Sequence, residues 1–168
     1  MRDAESGLWA GWREASARAE VDVALRGLYA ELDATIAAKG PTCWSSGKCC
    51  KFVEFEHRLY VTGLEIAWFL GGVTAAEGDA ETNEPCGGIR LPQFAEHPGA
   101  CPYQIDGLCS THAIRPLGCR IFFCQQGTEA WQQDVYEDFL GRLQSLHQAH
   151  GIEYRYMDWI AGLEQAGA

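Results

Sequence analysis

Cysteine placement constrains this chain more than any other feature. Of eight cysteines, four fall between Cys101 and Cys124, where Pro102, Asp106-Gly107 and Pro116-Leu117-Gly118 interrupt regular structure. Thiols on such short loops can fold back onto one another. Cys43, Cys49 and Cys50 form a second group upstream. The two groups are expected to meet around a metal or iron-sulfur centre.

The chain has 168 residues, within the range of a single domain. With 47% apolar and 21% charged residues it reads as an ordinary globular protein. A formal charge of -10 argues against nucleic acid, whose binding depends on Lys and Arg displacing counterions, and against an anionic membrane surface. No apolar run approaches the roughly 18 residues of a membrane span. Met1-Arg2-Asp3-Ala4-Glu5-Ser6 lacks the apolar segment of a secretory signal. A cytoplasmic protein is expected, and in that compartment crowded thiols read as metal ligands or redox groups before they read as disulfides.

Helical periodicity dominates both ends. Val21, Leu25, Leu28, Leu32 and Ile36 recur at spacings of three and four, with Leu8, Trp12 and Ala15 marking an earlier part of the same or a preceding helix. Gly40-Pro41 ends this region. Lys51 to Glu56 alternates and suggests a short strand. Thr62 and Glu65 have capping-box spacing, which starts a helix near Gly63 that Gly71-Gly72 should stop at Leu70. A surface loop is expected over 73–85. Trp131, Val135, Phe139, Leu143 and Leu146 predict a helix from Glu129 to His150, closed by Gly151. A brief alternation at Ile152, Tyr154 and Tyr156 precedes a last short helix within Met157 to Gln165. The expected fold is mainly α: helices in 1–40 and 125–168 flank an irregular cysteine-rich metal-binding core in 41–124, with at most short strands.

Crowded thiols carry their own chemistry. Two thiolates 4 Å apart repel by about 4 kcal/mol at an effective dielectric near 20, so a bare cluster stays protonated or oxidises, whereas a cation relieves the repulsion. Structural zinc sites usually use Cys-x-x-Cys pairs, and this chain has none. Its gaps are five, zero, seven, nine and four residues. Iron-sulfur clusters accept irregular spacing, including the four-residue step that separates Cys119 from Cys124. Adjacent Cys49 and Cys50 suit two irons of a cluster, or two sites, better than one tetrahedral ion. Trp44, Tyr103, Phe122 and Phe123 either shield such a group or belong to the core. Arg115 and Arg120 flank Cys119 and either offset thiolate charge from outside the ligand shell, Arg115 before Arg120, or form surface salt bridges. Cys86 stands apart from both groups, and His112 reads as a capping or hydrogen-bonding residue before it reads as a ligand.

Cys43-x-x-Ser46-Gly47-x-Cys49-Cys50, then Cys101-Pro102, then Asp106-Gly107-x-Cys109-x-x-His112-x-x-Arg115-Pro116-x-x-Cys119-Arg120-x-Phe122 resembles the YkgJ-type cysteine-cluster family, a zinc- or iron-chelating domain with a CxxCxxCC signature. The resemblance covers roughly Cys43 to Cys124. It departs at Ser46, where the family pattern has cysteine, and Cys124 is a candidate replacement. A related domain in flagellin lysine methylases looks like an iron-sulfur module accompanying methyl transfer, but no S-adenosylmethionine site is recognisable here. The resemblance implies metal binding without supplying a reaction.

The leading expectation is an iron-sulfur protein, [4Fe-4S] before other forms, with ligands drawn from Cys43, Cys49, Cys50, Cys101, Cys109, Cys119 and Cys124. Its role would be electron transfer, or redox chemistry with a protein or small-molecule partner. One alternative is a structural zinc-binding interaction module. Another is a metal-dependent enzyme modifying a peptide or protein, with His112, Asp106 or Tyr103 moving protons.

Overall fold

Apolar residues at helical spacing do the first part of the folding. In the computed structural model, which describes residues 2–44, 46–80 and 99–167, the N-terminal periodic region is two helices, α1 (Arg2–Ala17) and α2 (Ala19–Lys39). They separate at Arg18, whose ψ of 129° is extended. Val21, Leu25, Leu28, Leu32 and Ile36 all turn inward on α2. Gly40, at φ 64°, closes it by donating its N–H to the carbonyls of Ile36 and Ala37, a left-handed cap that glycine adopts without strain.

Helix α3 (Gly63–Ala80) lies against α1. Gly63 sits beneath the Trp12 ring, where any Cβ would collide with it, and Trp12 Nε1–H donates to the Glu153 carbonyl at 2.8 Å. The expected capping box forms. Thr62 N–H and Oγ1–H donate to Glu65 Oε2 at 2.8 and 3.1 Å, and Glu65 N–H donates to Thr62 Oγ1 at 3.2 Å. The other oxygen of Glu65 reaches further: Tyr29 O–H and Leu117 N–H donate to Oε1 at 3.0 and 2.9 Å. One buried carboxylate thereby joins α2, the start of α3 and the start of α4 (Leu117–Ile121).

Strand β1 (Tyr60–Thr62) pairs antiparallel with the strand near the C-terminus, Tyr156–Asp158, in the register Tyr60–Asp158, Val61–Met157 and Thr62–Tyr156. Between them lie a two-residue hairpin, β2 (Gln104–Ile105) with β3 (Leu108–Cys109), then α4, then α5 (Glu129–Ala149). The C-terminal strand is therefore β4, and α6 (Trp159–Ala166) follows it. The hairpin turn has φ of 51° at Asp106 and 76° at Gly107, the pair of positive values that a type I′ turn requires and Asp-Gly supplies. The protein is mainly α with two short two-stranded sheets among the described residues. No helix among those residues is long and apolar enough to cross a membrane.

Two expectations fail. Residues 51–56 form turns, because the segment bonds back on itself: Phe55 N–H returns to the Lys51 carbonyl, His57 N–H returns to the Phe52 carbonyl, and Glu56 adopts φ 50°. The alternation leaves Phe52 inside and Val53 and Phe55 exposed. Nor does Gly71-Gly72 stop α3, which continues to Ala80. Mid-helix glycine costs only about 1 kcal/mol, and Gly72 lets Ile114 pack directly on the helix backbone. The rest of the loop expected over 73–85, together with Cys86, lies outside the described residues.

Replacing Glu65 by Gln puts an amide NH2 where one carboxylate oxygen accepted two donors. Leaving buried donors unmatched costs about 1–3 kcal/mol each. Urea denaturation of E65Q is expected to show a loss on the order of 3 kcal/mol, and an unchanged midpoint would remove Glu65 from its central place.

Candidate metal centre

Three short segments bring the thiols together. Cys49 and Cys50 sit on a single 3-10 turn, Lys48–Cys50, entered through Gly47 at φ 67°. A Cβ on Gly47 would strike the Gly107 carbonyl and the Gln104 side chain, so this glycine lets the first cysteine loop dock on the hairpin turn. Gln104 Nε2–H then donates to the carbonyls of Gly47 and Gly107, at 2.8 and 3.2 Å. Cys101 N–H donates to the Cys50 carbonyl at 2.7 Å. Together these bonds register Cys49 and Cys50 against Cys101 and Cys109. Cys119 arrives on α4, whose first N–H is held by Glu65 and whose Gly118 lies close against the Leu59 side chain.

All seven cysteines of the two groups line one cavity of about 120 Å³. Cys50 and Cys101 are buried, Cys49, Cys109 and Cys119 half-buried, and Cys43 and Cys124 exposed. The described cysteines are all free thiols, and Cys49 Sγ lies 4.0 Å from Cys50 Sγ. Among the described residues, no three Cys, His, Asp or Glu side chains stand in an arrangement that would hold a single metal ion.

Crowding perturbs the inner thiols strongly. Hydrogen bonding with Cys101, then with Cys109 and Cys49, together with burial, pushes the Cys50 thiol far above the ordinary range. Hydrogen bonding with Cys50 is the largest cause drawing Cys49 down to about 7 and Cys109 down to about 6, and it also lowers Cys101. Cys119 moves the other way: burial, then the charges of Cys101 and Cys109, push it well above the usual value. Thr111 Oγ1 lies 3.6 Å from Cys109 Sγ, and Trp159 Nε1–H donates to Cys101 Sγ at 3.4 Å.

The arginines part company. Arg115 lines the cavity, where its charge favours the thiolates of Cys49, Cys109 and Cys119, and its donors bond the carbonyls of His112 and Cys119. Arg120 is buried and braces the backbone, donating to the carbonyls of Arg115 and Ala113 and to Asp33 Oδ2 at 2.7, 2.9 and 2.6 Å while lying over the Tyr29 ring. His112 also lines the cavity; burial, followed by Arg115 and Arg120, lowers its pKa and keeps the imidazole neutral, the form that ligates metals. Trp44, Phe122 and Phe123 line the cavity, whereas Tyr103 is buried against Phe69.

Trp159 and Gln104 contribute to the site without any motif marking them. Trp159 comes from 58 residues beyond the sulfur it contacts, a pairing that local spacing does not encode. A groove of about 550 Å³ adjoins the cavity and shares Cys49, Cys119, Cys124, Phe122 and Phe123 with it. His57 stands in that groove, stacked on Phe122 at 5.1 Å with Nε2 3.2 Å from the Cys49 carbonyl oxygen. Comparison with protein-family models, with curated proteins and with solved structures returns no match for this chain.

In metal-free protein, thiolate forms first where the pKa is lowered and alkylation follows thiolate. At neutral pH, mass spectrometry after brief iodoacetamide treatment should find Cys109 and Cys49 modified ahead of Cys50 and Cys119. Cys109 labelling should slow as the pH falls through about 6. Equal labelling of Cys109 and Cys119 would contradict this ordering.

Proposed function

We propose that the protein binds an iron-sulfur cluster in the cysteine-lined cavity, [4Fe-4S] before other forms, and acts in electron transfer or redox chemistry with a protein or small-molecule partner. The carrying observation is that five inner thiols, Cys49, Cys50, Cys101, Cys109 and Cys119, border one cavity with Cys43 and Cys124 at its exposed rim. That donor set is soft and all-sulfur, which suits zinc or iron-sulfur chemistry. A single zinc with Zn–S near 2.3 Å draws its four thiolates to about 3.8 Å from one another and leaves no free volume. Cys49 and Cys50 approach that separation, but seven thiols around one cavity are more than one tetrahedral ion uses, which supports a larger group. The likeness to the YkgJ-type family supports the same reading on its motif residues.

When bound, the cluster would supply one-electron transfer. The chain's own residues serve it from outside. Arg115 offsets thiolate charge, and the indole N–H of Trp159 and the hydroxyl of Thr111 can donate to the sulfurs of Cys101 and Cys109. Phe52, Phe69 and Trp159 line the inner wall and exclude water. A metal-dependent enzyme modifying a peptide or protein is the second reading, favoured by the groove that opens beside Cys49 and Cys119. It expects a mass change on peptides incubated with the loaded, reduced protein; unaltered peptides would count against it.

Anaerobic purification followed by iron, acid-labile sulfide and zinc analysis tests the main reading. Iron and sulfide in near-equal amounts are expected, with a brown colour and an electron paramagnetic resonance signal on reduction. C50S and C119S should each lose at least tenfold in bound iron. A colourless protein carrying stoichiometric zinc would overturn the proposal in favour of a structural module.

A further inference from the structure

Seven thiols exceed the four positions of one cluster, and the structure divides them. Cys43 and Cys124 are the exposed members of the set, although both line the same cavity as the rest. Their segments are joined directly: Thr42 N–H donates to Gln125 Oε1 at 2.7 Å, one residue from each cysteine. A second contact places Ser46 Oγ 3.9 Å from Cys124 Sγ. From the other side Gln132 grips Phe123, accepting its N–H at 2.9 Å and donating to its carbonyl at 3.1 Å. The position of Cys124 is thus fixed against α5, while Thr42 and Ser46 touch its segment from the other side.

We propose that Cys43 and Cys124 form a redox-active dithiol at the mouth of the cavity, separate from the inner thiols, which exchanges with low-molecular-weight disulfides of the glutathione class. The inference rests on the preceding reading only in leaving the inner five to the metal group. A disulfide spans about 4.4–6.8 Å between Cα atoms, and the bond from Thr42 N–H to the Gln125 side chain holds the two segments side by side next to these thiols. The step balances as ordinary exchange. One cysteine, as thiolate, attacks a sulfur of glutathione disulfide, whose S–S bond breaks to release one glutathione and leave a mixed disulfide. The second cysteine attacks the protein sulfur of that adduct and releases the other glutathione. Two protein S–H bonds are lost, one S–S bond is gained, and two electrons and two protons leave with the two glutathione thiols. The new bond ties the loop before the 3-10 turn to the segment after α4 and narrows access to the inner sulfurs.

The test treats the full chain, purified anaerobically, with glutathione disulfide, maps its peptides without reduction by mass spectrometry, and measures metal before and after. A Cys43–Cys124 cross-linked peptide with unchanged metal content is expected. C43S should instead trap a glutathione adduct on Cys124, and C124S one on Cys43. Separate adducts on both cysteines of the unmodified sequence, with no cross-link, would overturn the proposal. So would cross-linking accompanied by stoichiometric metal loss, which would make the pair ligands. A cross-link formed in protein that binds no metal under any preparation upholds the dithiol while defeating the cluster reading.

Discussion

Glu65 is the point through which the helices and the cysteine segments are connected. Its carboxylate accepts from Thr62 twice, from Tyr29 and from Leu117, so that all its bonds cross between elements or cap one. Burial raises its pKa against the opposing pull of those donors, a conflict that complete hydrogen bonding makes tolerable. Because Leu117 N–H opens α4, the same carboxylate sets where Cys119 stands relative to the helical body. Arg120, three residues on, repeats the tie by bonding Asp33 of α2 and the carbonyls before α4.

The cysteine loops are held differently. They have little regular structure of their own and depend on close backbone approach at Gly47, on the Asp106-Gly107 turn and on the bonds of Gln104. What they create is electrostatically unfavourable as bare thiols: crowding and burial push Cys50 and Cys119 away from ionisation. A cationic inorganic group would reverse that balance, since ligation favours the thiolate form of every donor it touches.

Much of this was legible in order along the chain. The apolar stripes of α2 and α5, the Gly40 cap, the Thr62–Glu65 box and the Asp106-Gly107 turn are local signals, and each forms as its residues dictate. Local pattern misled where tertiary partners decide. The segment over 51–56 closes into turns through its own backbone bonds, and Gly71-Gly72 is carried through by a helix on which Ile114 packs at Gly72. Arg120 looked like a partner for sulfur because it follows Cys119, yet its side chain turns to the backbone and Asp33. Trp159 and the second role of Glu65 were invisible because their partners lie 58 and 52 residues away.

Inner sulfurs distant in sequence are proposed to converge on one inorganic group. A crystal structure of anaerobically purified protein, with anomalous scattering collected at the iron and zinc edges, addresses it most directly. Convergence predicts one iron signal inside the cavity, bonded to at least four of Cys49, Cys50, Cys101, Cys109 and Cys119. Those side chains paired as cystines with nothing between them, or a metal bound elsewhere, would contradict it.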